Sequence, residues 1–484
     1  MNIFDRMIAT VAPGAALERV RARRALNVLA HYDAATTGRR SKSWKPSATD
    51  ADGAAARRDR ISYVARDMIR NTPFAARAQH VIANNVVGDG IIPKIIAPNE
   101  TLKKRGFEMV ERHFDTTAID ADGRQNLYGL QRLIMNTVVE SGECLVRRRR
   151  RSRGDRLPLP FQLQVLEPEY LDIGYDGRAA SGNLIREGIE YDLVGRRVAY
   201  HLYDEHPGGT GWRSVLSRVR SRRVPASEIL HIYRQDRPGQ MRGVSWFAPI
   251  ALSLQDLGDH QDAQLMRQKI AACFAAFRHQ PDSIPDDAGM SNISKRLQPG
   301  AIVDLGPGED ITFGTPPKVD GFDEFTRVVL RSVAAGLGIT YEALAGDLSN
   351  VNFSSARMGR VEMDRNVSSW QWLMMITQFC QPLGEWFKEA WAVEDAATQR
   401  INDVSLRWVP PNRILVDPNR EITAIRDKIA AGLESRQGAI RQLGHDPERL
   451  IEEIKKDAEE EKAAGIRFTS SVSIPQPESE AGDE

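Results

Sequence analysis

The sequence predicts a mainly helical α+β protein, and three observations lead there. Apolar residues recur at three- and four-residue steps over several long stretches, period-two alternation is confined to shorter stretches between them, and Gly and Pro punctuate the joins. The chain has 484 residues, 41% hydrophobic and 27% charged, which is enough apolar material for real cores. That length corresponds to roughly three domain-sized units.

Residues 1–56 open with a short helical pattern and then turn polar and rich in Ala, Gly and Ser (TTGRRSKSWKPSATDADGAAA). Such a composition buries little, so an arm or linker, partly disordered, is expected. Helical patterning begins near Arg57 and places Ile61, Val64, Met68 and Ile69 on one side. It stops at Asn71-Thr72-Pro73, because a residue before proline avoids helical angles. A second helix is expected from Ala75 to Val87, ending at Gly88, and GIIPKII reads as a strand. A third helix covers about 127–141. Strand periodicity follows in FQLQVL and around 189–193, 197–203 and 228–233, so 57–243 is expected to form one α/β unit.

A long helix opens at Pro249, a favoured first position, within 244–277. Its apolar residues from Ile250 to Phe277 would carry it about 42 Å at 1.5 Å per residue. Residues 278–319 are rich in Pro, Gly and Asp, with short strands expected at AIVDL and DITFG. A second helix within 320–346 aligns Phe322, Phe325, Val329, Val333 and Leu337. With a small β-rich insert between them, the two helices are expected to pair as an antiparallel hairpin. Residues 347–355 read as a polar loop, with Ser354 or Ser355 capping the next helix. That helix runs to about Trp391 within 356–415, carries Trp370, Leu373, Thr377, Cys380 and Trp386, and should kink or break at Pro382. Asp417-Pro418 and Asp446-Pro447 each open a helix in 416–465, and 466–484 is an acidic tail expected to be disordered.

The bulk charge is balanced, with 66 Lys+Arg against 65 Asp+Glu, which excludes a globally basic nucleic-acid binder. Any DNA must be met by a local surface. The two ends differ: residues 1–60 hold 12 Lys/Arg against 6 Asp/Glu, and residues 448–484 hold 5 against 11, so they are either solvated or complementary to partners. Cys144, Cys273 and Cys380 fit neither a disulfide framework nor zinc spacing, so a reducing compartment is expected. No apolar run approaches about 18 residues, so no membrane span is expected. The N-terminus also lacks a basic-then-apolar leader pattern.

No enzyme site assembles from the motifs. Gly-Lys never occurs, so no P-loop can be written, and neither G-x-G-x-x-G nor G-x-S-x-G appears. HLYDEHPGG gathers His201, Asp204, Glu205 and His206, but it lies where a strand enters a Gly-rich turn, and a turn is the simpler reading. Asp256, Asp259 and Asp262 recur at three-residue steps on the long helix. A nuclease would pair carboxylates to hold two metals, yet such steps spread the side chains over roughly 120° of arc. A solvated or intersubunit acidic face fits better. No catalytic residue, metal or cofactor is expected.

Two stretches are candidates for contact with DNA. VRRRRRSRGDR (146–156) carries seven arginines in the ten positions Arg147 to Arg156. Flanking strands and Gly154-Asp155 place the run at an exposed hairpin, either solvated or touching DNA or a partner through Arg147, Arg148, Arg149, Arg150, Arg151 and Arg153. In the polar loop, Ser349, Asn350, Asn352, Ser354 and Ser355, followed by Arg357 and Arg360, offer hydrogen bonds that touch phosphates without holding them. An ordinary loop with a helix cap is the plainer alternative.

Several stretches together resemble the lambda-type family of tailed-phage portal proteins. They include HYDAATTGRR (31–40), RDMIRNTPFAARAQHVIANNVVGDGI (66–91), SGECLVR (141–147) and VPASEILHIYRQDRPGQMRGVSWFAPIALSLQDL (224–257). LQPGAIVDLGPGEDITF (297–313), AAGLGITYEALAGDLSNVNFSSAR (334–357) and VDPNREITAIRDKIAAGLESR (416–436) complete the set, in collinear order over roughly 30–450.

The resemblance implies a ring, usually of twelve subunits, at one capsid vertex, through which double-stranded DNA is packaged and ejected. It implies docking of the terminase large subunit, then of head-completion and tail connector proteins, with major capsid and scaffold proteins around it, all assembled in the host bacterial cytoplasm. It further implies a wing (57–243), a stem helix pair (244–277 and 320–346) and a clip (278–319) facing terminase, where Arg278, Lys295 and Arg296 are the candidate contacts because they are charged and lie in the insert. A tunnel loop (347–355), a return through the wing (356–415) and a helical crown (416–465) follow. Two other readings stand beside it: a monomeric DNA-binding adaptor acting through the arginine run, and a metal-dependent nucleic-acid enzyme using Asp256 and Asp259.

Overall fold

The computed structural model describes residues 48–54, 57–209, 220–272, 276–279, 310–313, 321–349, 352–395, 400–411, 418–443 and 447–465. Residues 1–54 form a unit of their own, whose described part contains the helical turn Ala51–Ala54. Residues 55–484 form the second unit.

Helices α1 (Arg58–Asn71) and α2 (Pro73–Val86) meet at Thr72, which is extended, as a residue before proline must be, and Pro73 starts α2. Strand β1 (Ile92–Ile96), helix α3 (Glu100–His113) and helix α4 (Leu127–Ser141) follow. The apolar periodicity does not announce α3, because its buried residues, Leu102, Gly106, Val110 and His113, include a glycine and a histidine. Asn99 caps it, accepting the Leu102 N–H at 2.8 Å.

Eight strands come next: β2 (Glu143–Arg150), β3 (Phe161–Leu166), β4 (Gly177–Arg178), β5 (Leu184–Arg186), β6 (Ile189–Tyr191), β7 (Arg197–Tyr203), β8 (Ser221–Pro225) and β9 (Ile229–Tyr233). β2 lies between β3 and β9 in one antiparallel sheet, and β4 to β8 form a second, a meander. Alternate side chains of β2 enter different cores. Cys144 and Val146 join the main core, while Leu145 joins a smaller one with Ile189, Tyr200, Leu202 and Val224.

Helix α5 (Ala251–Ala272) has 22 residues, about 33 Å, so it is shorter than its periodicity predicts. Ala276 and Phe277, expected to end the helix, instead open strand β10 (Ala276–His279), paired with β11 (Asp310–Phe313). Three- and four-residue spacing in so short an apolar run does not distinguish helix from strand, and cross-strand pairing decides. The strand expected at AIVDL lies outside the described residues. Helix α6 (Phe322–Leu337) follows as predicted and closes at Gly338.

After α7 (Tyr341–Ala345), helix α8 (Phe353–Ser369) continues into an 11-residue π-helical stretch, Trp370–Cys380, and then into α9 (Gln381–Glu394). The predicted break at Pro382 is absent. The wider turns just before the proline absorb the hydrogen bond it cannot make. They also rotate the buried face: Leu373 and Thr377, expected beside Trp370, are exposed, and Met374, Met375, Ile376 and Phe379 are buried instead. Strand β12 (Ser405–Val409) returns to pair with β1. Helices α10 (Pro418–Ala430), α11 (Arg436–Gln442) and α12 (Pro447–Ala464) end the described chain.

Candidate channel and docking surfaces

α5 and α6 run antiparallel. The Ile250 side chain, one residue ahead of α5, lies against Gly336, ten residues on His260 packs on the rings of Phe322 and Phe325, and β10 pairs with β11 beyond. Leu254 and Leu257 turn inward with Leu330, Val333 and Leu337. Asp256, Asp259 and Asp262 are all exposed on the opposite side, and Gln255 donates to Asp259 at 2.9 Å. Arg278 lies in β10 opposite Ile311. Lys295 and Arg296 lie outside the described residues.

The three aspartates do not converge on a common point. Among the described residues, the one His/Cys/Asp/Glu group with ligand atoms close enough to share a metal is Glu167, Glu169 and His206. Arg66 already binds Glu169 through two hydrogen bonds (2.8 and 2.9 Å). His206 accepts the Gly208 N–H at Nδ1 (3.1 Å), and its Nε2 lies 3.0 Å from Glu167. The rest of that sequence cluster disperses: Asp204 pairs with Arg222 at 2.7 Å, and His201 lies beside Glu190. Of Glu167, Glu169 and His206, Glu169 is thus already neutralised by Arg66.

The polar loop is tied down by its own side chains. The Asp347 carboxylate accepts from the N–H and hydroxyl of Ser349 and from the Tyr341 hydroxyl, and these bonds hold its pKa below the ordinary value. The cap of α8 is Asn352, where Ser354 or Ser355 was expected. Asn352 accepts the Ser355 N–H at 2.8 Å, and Ser355 accepts the Asn352 N–H at 3.2 Å, a closed capping box. The helix begins at Phe353, which puts Asn352 and not a serine at the cap. Arg357 is exposed one turn later. Asn350 and the Ser354 side chain lie outside what is described.

The arginine run is not confined to a hairpin tip. Arg147–Arg150 lie within β2, and only the residues from Arg151 onward form the turn. Because strand side chains alternate, the run splits into two faces. Arg148 is buried, stacks on Trp386 at 4.9 Å, and bonds Glu228 (2.8 and 3.0 Å) and Glu389 (2.6 Å). Arg150 shares Glu228 at 2.7 Å. Burial pushes the Glu228 carboxyl up, but the two guanidiniums outweigh it and hold the group below its ordinary value. A cleft of about 630 Å³ opens beside this cluster, lined by Trp386, Pro382, Ser405 and Leu406. Arg147 and Arg149, on the other face, are half-buried. Nothing is described of the Arg153 side chain.

A second ionic cluster, missed at the sequence level, secures the segment leading into α5. Buried Glu143 accepts from Arg242, from His231 (2.9 Å) and from the Gly243 N–H (2.8 Å). Arg242 reaches on to Glu187 at 3.0 Å, which Arg58 holds through two 2.8 Å bonds. Burial raises the Glu143 carboxyl, but Arg242 and His231 outweigh it and keep the group ionised. Sequence spacing offers no signal for this cluster, since its members come from four distant segments.

The chain is 27% identical over 465 residues to a probable portal protein of Halomonas phage phiHAP-1, covering 88% of this chain and 86% of that one. It is 21% identical over 488 residues to portal protein B of Escherichia phage lambda, covering 89% of each. Among solved structures, a chain from the neck of a native gene transfer agent particle aligns with TM-score 0.47 and 15% identity, covering 79% of this chain and 94% of that one. The profile of phage portal proteins of the lambda family matches residues 37–371, and the chain belongs to that family.

Proposed function

We propose that copies of this phage portal protein close into a twelve-subunit ring at the capsid vertex, with double-stranded DNA passing through the centre. The observation that carries this reading is the antiparallel α5–α6 pair ending in the β10–β11 pairing, in a chain of the portal family. In this reading the helix pair is the stem, 278–319 the clip, 57–243 the wing, 347–355 the tunnel loop and 416–465 the crown. The clip receives the terminase large subunit during packaging and head-completion and tail connector proteins afterwards, and the wing meets major capsid and scaffold proteins. The chain itself hydrolyses nothing, and the ring assembles in the host bacterial cytoplasm.

A duplex that must slide needs shallow wells, since every firm phosphate contact adds an electrostatic hold. Ser349, Asn352 and Ser355 engage their own loop and helix end, so they offer a passing phosphate only weak contacts. Asp256, Asp259 and Asp262 present a negative face that repels the duplex or pairs with a neighbouring subunit. Ile422, Ile425 and Ile429 recur at helical spacing on α10, none of whose residues is buried, a stripe suited to coverage by an adjacent copy.

The test is the native mass of the purified full-length protein, with negative-stain images of the same sample. Closed rings with a central hole are expected. A monomer that cuts DNA with divalent metal, and loses that activity on Asp256→Ala/Asp259→Ala, would overturn the reading.

A further inference from the structure

Strand parity leaves half of the arginine run without acidic partners. Arg148 and Arg150 are neutralised by Glu228 and Glu389 on one face. Arg147, Arg149 and Arg151 line the other, where their cross-strand neighbours are Gln164 opposite Arg147 and Gln162 opposite Arg149. Gln162 accepts from Arg151 at 2.8 Å, and the buried Gln164 Oε1 has no hydrogen-bond partner. Asp204, the carboxylate whose field reaches both Arg147 and Arg149, is held by Arg222 at 2.7 Å. Burial, and then the next guanidinium along the row, push Arg147 and Arg149 below the ordinary arginine value. Among the described residues no carboxylate bonds Arg147, Arg149 or Arg151 directly, and the Asp204 and Glu228 fields that reach the row come from carboxylates already held by Arg222 and by Arg148 and Arg150.

We propose that Arg147, Arg149 and Arg151 form a phosphate-binding row that holds double-stranded DNA along the Leu145 side of β2, where the strand runs out past the smaller core into its turn, and outside the channel. Same-side residues on a strand recur about every 7 Å, so Arg147 and Arg149 lie in line, and Arg151 follows them at the start of the turn, where its N–H still bonds the Pro160 carbonyl at 2.9 Å. Each guanidinium offers a planar pair of donors that matches a phosphate. The half-buried stems of Arg147 and Arg149 are already ordered, so less freedom is lost on binding. A protein partner would need a buried apolar anchor at its centre, whereas glutamines border this row. A polyanionic backbone, read without sequence preference, is what such a surface recognises. The choice of DNA as the polyanion rests on the portal reading. The uncompensated row does not.

The experiment is anisotropy of a short fluorescent duplex titrated with full-length protein between about 50 and 200 mM salt. Arg147→Gln/Arg149→Gln/Arg151→Gln should weaken binding about tenfold and lower the salt slope by roughly 2.7. Arg149→Gln/Arg151→Gln, which leaves the most buried member in place, should give about two thirds of that slope change. Arg150→Gln, on the neutralised face, should leave both quantities unchanged. Unaltered binding in the triple variant, equal weakening by Arg150→Gln, or binding of polyglutamate in preference to DNA would each overturn the proposal. Native mass on the same samples separates the two readings. Rings with unaltered DNA binding remove the row and leave the channel. Monomers whose DNA binding falls in the triple variant remove the ring and leave the row.

Discussion

Gly142 and Gly243 touch backbone to backbone: a Cβ built on Gly243 would lie 2.1 Å from the Gly142 carbonyl oxygen, and one on Gly142 would lie 2.3 Å from the Val244 carbonyl carbon. Gly142 also has φ 90°, in the left-handed region, where it ends α4. The segment that leads into α5 thus crosses the start of β2 with no room for a side chain. Gly243→Ala should cost at least about 2 kcal/mol by forcing this crossing apart. Thermal unfolding would show it, and ring formation should suffer with it because α5 loses its anchor.

The two acidic partners of Arg148 should differ in weight. Glu228 serves both Arg148 and Arg150 with its side chain 15% exposed, while Glu389 serves Arg148 alone at 60% exposure. Glu228→Gln leaves a buried guanidinium poorly compensated and should cost about 2–3 kcal/mol. Glu389→Gln should stay within about 0.5 kcal/mol, since water already screens that pair. Urea midpoints of the two variants decide it, and equal losses would contradict the assignment.

His113 should make stability depend on pH. It is fully buried against the Phe161 ring at 5.0 Å, and burial lowers its pKa from 6.5 to about 3. Below pH 6.5 the unfolded chain takes up a proton that the folded one refuses, so stability falls as pH drops from about 6.5 toward 3. The loss is about 1.4 kcal/mol per unit from this group. Glu143, held low, adds to the loss only at more acid pH, as its own carboxylate begins to protonate. Buried His231, lowered to about 4, adds a loss of the same sign over the same range, so His113→Leu should remove about half of the pH dependence between about 6 and 4, measured as urea midpoints.

Asn352→Ala should open the first turn of α8. Losing the capping box costs about 1 kcal/mol, which predicts about fivefold faster amide exchange at Ser355. Exchange along α4 should not change.

The elements bounded by strong local punctuation were legible in the sequence. Pro73 marks where α1 stops, and Gly142 and Gly338 where α4 and α6 end, although α2 begins at Pro73 itself and not at Ala75 as its apolar spacing suggested. The antiparallel pairing of α5 with α6 was also legible, from two amphipathic stretches around a Pro- and Gly-rich insert. What escaped depends on partners far along the chain. Arg148 finds Glu228 80 positions away and Glu389 241 positions away, so a run that reads as a solvated tip becomes half a buried ion cluster. The π-helical stretch escaped for a different reason: its pitch departs from 3.6, so the spacing that identifies a helix misplaced Leu373 and Thr377. In the polar loop, residue types alone could not rank Asn352 above Ser354 and Ser355 as the cap.

The pairing of β1 with β12 also bears on the timing of synthesis. Ile96 meets Ser405, 309 positions later, so the first strand leaves the ribosome with no partner. At about 5–20 residues per second it waits roughly 15–60 s before that partner is made. Until then neighbouring nascent chains expose an open strand edge to one another, and each subunit closes its own fold only near the end of translation.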